Sequence, residues 1–252
     1  MTDIIGSLNL EVLKLPLGCI RIVELPMAIL AFATTSGYMA SGYIKLPFDC
    51  KPDKYTVEFG YSFNIGGTEL PKDLCNKSSL SEMGNTLFEQ GFSSSSQFFV
   101  FVGVISFLYV LGILIVYLKY WTNYENDPKF AMIDFTVTGI LGVFWFFASC
   151  AWASGVSGLK SVTSVDAIEA VMKKTVPCST KECQLVASWN YASLNVSLIT
   201  GFACVALWLA NLWFIYKETT WSKNRQVQTT VGSVADPASS GISSGQSQPS
   251  YR

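Results

Sequence analysis

One acid, Asp134, interrupts the stretch MIDFTVTGILGVFWFFASCAWA, which is otherwise apolar and long enough to cross a bilayer. A carboxylate placed in hydrocarbon costs roughly 3 kcal/mol or more, so such a group is either a proton or ion site or a buried structural partner. Two more ionisable residues, Arg21 and Glu24, stand near the entry of another apolar run, one helical turn apart. A relay would need further titratable groups leading toward the bilayer midplane, and no acid or histidine continues from Asp134 in that direction. The expected role of Arg21, Glu24 and Asp134 is therefore intramembrane ion pairing that locks two spans together.

Other chemistry finds no carrier. The chain contains no histidine, which removes Ser-His-Asp and Cys-His nucleophile pairs and most mixed zinc sites. No glycine loop of phosphate-cradling type is present. Neither catalysis nor a cofactor is expected. The formal net charge is −1 and the basic residues form no patch, so a nucleic-acid partner is not expected either.

The elements that must hold these residues follow from composition. Half of the 252 residues are hydrophobic and 14% are charged, a membrane protein's balance. Four apolar runs, about 20–40, 98–118, 130–153 and 191–216, reach the roughly 20 residues that a helical span requires. An even number of spans leaves both termini on one side. The first run begins well into the chain, carries Arg21 and Glu24 and lacks a basic leader, so it reads as a retained helix rather than a cleaved signal. The expected fold is an all-α four-transmembrane-helix bundle. It divides into an amphipathic N-terminal segment (1–19), the membrane domain (20–216, with loops 41–97 and 154–190) and a tail (217–252) rich in Ser, Gly, Gln, Pro and Thr that reads as disordered.

Lysine and arginine counts leave the orientation open, and cysteine informs it better. Cys19, Cys150 and Cys204 lie in or beside apolar spans, where a thiol behaves as a small buried hydrophobe. Cys50 and Cys75 share the first long loop, and Cys178 and Cys183 share the second. This pattern reads as one disulfide per loop in an oxidising lumen; four free thiols or a metal site with four thiolate ligands are the competing readings. Asn76 opens an Asn-Lys-Ser glycosylation sequon on the same side. Asn195 opens a second, but it falls at the start of the fourth span and reads as a packing residue. The termini are then expected to be cytosolic.

Finer features complete the pattern. Asp127 and Pro128 supply an N-cap and a first helical residue for the third span. Asp134 then lies about 9 Å along the axis at about 1.5 Å per residue, near the cytosolic interface and level with Arg21. The alternation of Tyr55, Val57, Phe59, Tyr61, Phe63 and Ile65 argues a half-buried strand, and GYIKLPFDC offers a second, giving a small hairpin-like cap. SSSSQFF offers serine caps for the second span, and DAIEAVMKK a short amphipathic helix. Ser149 with Ala153, Ser197 with Gly201, and Ala206 with Ala210 suit helix packing. Several of Trp145, Trp152, Trp208, Trp213 and Trp221 lie near span ends, which suits interfacial anchoring. Leu114, Tyr117 and Lys119 fit a proposed cholesterol pattern.

The blocks KLPLGCIRIVE, ILAFATTSG, VEFGYSF, FSSSSQFFV, MIDFTVT, SCAWASG, SLNVSLITGF and NLWFIYKET, in this order from about residue 15 to 218, resemble the synaptophysin family of vesicle tetraspan proteins with a MARVEL-type membrane domain. The resemblance implies an integral protein of synaptic or related transport vesicles, with cytosolic termini, a disulfide in each lumenal loop and glycosylation. It also implies homo-oligomers, a link to a synaptobrevin-type v-SNARE and association with cholesterol. The tail departs from the family, having only Tyr251 where neuronal members often carry Tyr-Gly repeats. The alternative function is an oligomeric channel or transporter, although Asp134, Asn195 and Asn211 line no evident single path.

Overall fold

The computed structural model describes residues 9–45, 54–69, 86–88, 90–175, 184–186 and 189–218. Four of its helices are long and apolar enough to cross a membrane: α1 (Pro16–Ser36), α2 (Ser93–Asn126), α3 (Pro128–Val162) and α5 (Ala192–Glu218). Only 28 to 33% of the most apolar stretch of each is buried within the molecule. The outward faces carry large apolar side chains such as Leu108, Ile133, Phe147 and Ile199. Helices apolar on both faces need hydrocarbon around them, so the chain is a multi-pass membrane protein built as a four-helix bundle.

The helix ends follow from local sequence. Pro16 supplies the first turn of α1, and Leu15 before it is extended, as a residue preceding proline prefers. Asp127 is the only residue between α2 and α3, and its carboxylate accepts a hydrogen bond from the Lys129 amide at 3.0 Å. Most of the expected cytosolic turn is therefore helical, bent where Tyr120 leaves helical φ/ψ. At its far end α3 runs beyond the expected limit of 153, because nothing in the segment before Thr163 breaks it. Serine does not cap α2: Phe92 is its N-cap, without a side-chain bond, and Ser96 instead donates to the Ser62 carbonyl at 2.9 Å.

Around the bundle α1 touches α2, α2 touches α3, α3 touches α5 and α5 touches α1, which places α1 and α3 across a diagonal. The first loop contributes β1 (Met39–Lys45), β2 (Lys54–Gly60), and the short pair β3 (Thr68–Glu69) and β4 (Thr86–Phe88). The second contributes α4 (Val165–Thr175) from the DAIEAVMKK segment and β5 (Gln184–Val186). One antiparallel sheet runs β2-β1-β5, so strands from both loops join in a single cap. The hairpin expected from the first loop is thus a three-stranded sheet. Two separated loops can build it because the helix ends beneath them are fixed neighbours.

The cap turns its apolar face onto the bundle. Val57, Phe59, Phe63 and Ile65 are buried, whereas Tyr61 is 41% exposed and breaks the expected alternation at the turn. Phe59 packs on Trp189 at 4.9 Å between ring centroids and Phe63 on Trp152 at 5.2 Å. Near the opposite end, Leu10–Lys14 form a 3-10 turn within the expected amphipathic N-terminal segment, whose residues 1–8 lie outside the described residues. The turn seats Val12 in the bundle and leaves Leu10 exposed.

Of the five tryptophans among which interfacial anchors were expected, three lie in the core and Trp221 lies outside the described residues. Trp145, Trp152 and Trp208 are fully buried, and only Trp213 faces outward among the described ones. Burial is tolerable for two of them because their indoles donate at 2.9 Å to hydroxyls, Trp145 to Ser106 and Trp152 to Ser197. Of the span cysteines only Cys204 is buried; Cys19 and Cys150 are exposed on outward faces. The small pairs divide likewise: Ser197 and Gly201 pack inward, whereas Ala206 and Ala210 face out.

Candidate functional site

Arg21 leaves α1 and crosses the bundle to α3. Its Nη2 donates to Asp134 Oδ1 at 2.6 Å and to Thr138 Oγ1 at 2.7 Å, while Nη1 donates to Glu24 Oε2 at 2.8 Å. The side chains of Arg21, Glu24 and Asp134 are all fully buried. A long, planar guanidinium suits this position because it spans the diagonal and serves two carboxylates at once. The structure thus brings Arg21, Glu24 and Asp134 into one cluster.

The cluster is larger than its charges. Three tyrosines of α2 donate to Asp134: Tyr109 to Oδ1 at 2.6 Å, Tyr117 to Oδ2 at 2.5 Å and Tyr124 to Oδ2 at 2.9 Å. Thr138, one turn on from Asp134, donates to Oδ1 at 3.2 Å. Asn211 of α5 donates from Nδ2 to Glu24 Oε1 at 3.0 Å. The rings of Tyr109 and Trp208 each lie 5.3 Å from the Arg21 guanidinium carbon, in cation–π range. All four spanning helices therefore contribute to one polar centre.

Its chemistry is that of a clamp. Five groups donate to the two oxygens of Asp134, which saturates a carboxylate's acceptor capacity. Glu24 is linked to Asp134 only through Arg21 among these bonds, and a guanidinium keeps its protons in proteins. A proton wire between the two acids is interrupted at that point. Arg21 Nε, Asn211 Oδ1 and the Trp208 indole nitrogen are buried without a partner. Among the described residues no cluster of three or more His, Cys, Asp or Glu is placed to hold a metal ion.

Sequence reasoning did not anticipate Tyr109, Tyr117, Tyr124 or Thr138 as members. The available signal was periodic: tyrosines spaced by 8 and 7 residues share one helical face, and Thr138 follows Asp134 by four. Tyr117 also changes meaning. It is fully buried and bonded to Asp134, so it does not present its ring at the surface as part of a sterol pattern with Leu114 and Lys119.

The cap side has its own polar contacts. Trp189 donates to the Thr163 carbonyl at 2.9 Å, Ser193 to the Thr34 carbonyl at 2.7 Å, and Lys160 to Asn195 Oδ1 at 2.7 Å. Asn195 is exposed and bridges α3 and α5 at the surface rather than packing inside. Tyr38 is buried with its hydroxyl unpartnered, and burial, with the nearby Tyr191, pushes that hydroxyl up to about 12. The loop cysteines Cys50, Cys75, Cys178 and Cys183, and Asn76, lie outside the described residues.

Comparison with protein families agrees with this architecture. The MARVEL family model, described as a membrane-associating domain, matches residues 12–214, a segment that holds α1, α2, α3, all but the last residues of α5 and every member of the polar centre. The chain belongs to the MARVEL family of membrane-associating domains.

Proposed function

We propose that the protein is a non-enzymatic organiser of transport-vesicle membrane, of synaptic or related vesicles, in trafficking and exocytosis. It self-associates and holds or sorts a single-span partner such as a synaptobrevin-type v-SNARE. Its termini are cytosolic and the sheet cap is lumenal, with Cys50–Cys75 and Cys178–Cys183 disulfides and a glycan at Asn76. Cholesterol belongs to its lipid surroundings.

The observation that carries this reading is the Asp134 clamp. A transporter needs ionisable groups that exchange protons or ions along a path, whereas here five donors converge on one carboxylate and an arginine separates it from the second acid. The polar centre serves rigidity, which leaves the broad outward apolar faces as the working surfaces. Crosslinking in intact vesicles, followed by purification in mild detergent and mass spectrometry, tests the proposal. Recovery of self-adducts and a v-SNARE adduct is expected. Recovery of neither, or a conductance in purified bilayers that Asp134→Asn abolishes, would favour the channel alternative.

A further inference from the structure

The sheet order β2-β1-β5 leaves β2 at an edge, and among the described residues no strand pairs along its outer side. An open edge is a template for another strand, and proteins commonly block it with charges. The charges on this edge are arranged differently. Lys54, Thr56 and Glu58 are exposed on one face, while Val57 and Phe59 between and beyond them are buried against the bundle. Lys54 lies 5.3 Å from the Tyr43 ring centroid, and no ion pair is made by Glu58 among the described residues. Opposite charges thus flank Thr56 symmetrically, two residues away on each side.

We infer that β2 pairs antiparallel with β2 of a second copy in the same membrane, about a twofold axis through Thr56. In that register Thr56 faces Thr56 of the other copy, and Lys54 faces its Glu58, twice over. A slip of one residue would set Thr56 against Val57 and turn one copy's apolar face outward, and a slip of two would set Thr56 against Glu58 and remove both ion pairs, so burial and charge together select the register. Geometry selects the arrangement. The twofold axis of an antiparallel ladder stands perpendicular to the sheet, so pairing keeps the apolar faces of both sheets on one side. Each sheet turns that face onto its own helix ends. Two bundles joined in this way point into one bilayer, and the interface is isologous.

This inference rests on the self-association proposed above and assigns a surface to it. The test is a charge-swap cycle on the full-length chain in lipid nanodiscs and native vesicles, read by dimer fraction. Lys54→Glu or Glu58→Lys alone places like charges opposite each other and should weaken the dimer about tenfold. The double variant Lys54→Glu, Glu58→Lys should restore wild-type dimerisation, which also controls for folding. Thr56→Cys should crosslink between copies, whereas Ser41→Cys on β1 should not. Unchanged dimerisation in both single variants, or failure of the double variant to recover, overturns the assigned edge while leaving self-association intact. A wild-type chain that stays monomeric throughout overturns self-association and the edge together.

Discussion

Asp134→Asn is the substitution that most directly probes the polar centre. The change keeps side-chain volume and removes one charge, leaving Arg21 to face Thr138 and Glu24 alone. Arg21 keeps Glu24 as its counter-ion, so the first cost is the weakened charge-assisted bond between Arg21 and position 134, about 1.5–3 kcal/mol. The new amide adds a second cost. Asparagine Oδ1 can still accept from Tyr109 and Thr138, but its NH2 group would point where Tyr117 and Tyr124 now donate at 2.5 and 2.9 Å. Each hydroxyl left without an acceptor adds about 1 kcal/mol. The sum, about 4 kcal/mol, corresponds to a fall in Tm of roughly 8–16 °C for a domain of this size. Thermal unfolding of the full chain in nanodiscs, followed by tryptophan fluorescence, reads it directly because Trp208 lies against Arg21. The combined variant Arg21→Met, Glu24→Gln, Asp134→Asn should lose much less than the sum of its single changes, since no uncompensated charge remains. If Asp134→Asn melts within about 0.5 kcal/mol of wild type, or the losses simply add, the centre is not a coupled clamp.

Other positions give independent checks. Gly201→Ala should destabilise by about 1–3 kcal/mol, because an added Cβ would sit 2.7 Å from Phe99 and 2.9 Å from Ser149 Oγ; the same nanodisc melts measure it. Trp152→Phe should cost about 2 kcal/mol through a lost buried hydrogen bond and poorer filling against Phe63, with Trp152→Tyr offering no recovery. Tyr38→Phe should be neutral or stabilising, since it removes an unpartnered buried hydroxyl. Tyr38 ionises near 12 when folded and near 10 when unfolded, so the folded state binds more protons between those values and stability falls as pH rises through them. Melts recorded between pH 9 and 12 should show a shallower decline in Tyr38→Phe than in wild type. Membrane-impermeant thiol labelling of reduced, sealed vesicles should protect Cys50 and Cys178 alike until the vesicles are opened, and labelling of only one of them would contradict the shared compartment.

Much of the architecture was legible because bilayer thickness converts directly into chain length. Four long apolar runs meant four helices, and Asp127-Pro128 fixed the start of α3 because the cap and the proline act within one turn. The pairing of Arg21 with Glu24 and Asp134 could be anticipated from depth and charge alone, since a buried ion requires a partner. Helix ends were less legible: α2 continues to Asn126 and α3 to Val162 beyond the apolar runs, because hydropathy marks where lipid ends and backbone hydrogen bonding need not stop there.

Tertiary structure decided which faces meet. Several of the five tryptophans in or near the spans read as interfacial because indole favours that zone, yet Trp145, Trp152 and Trp208 are buried, and serine hydroxyls on neighbouring helices satisfy two of them in the core. Tyr109, Tyr117 and Tyr124 converge on Asp134 only because α2 packs beside α3, and β5 joins β1 only because two loops emerge from adjacent helix ends. Sequence by itself determined the solvent each segment must occupy, since transfer free energy is a property of residues taken singly or in short runs. The partner of each polar atom was settled by packing, because a hydrogen bond depends on distances between residues more than a hundred positions apart, as for Arg21 and Asp134.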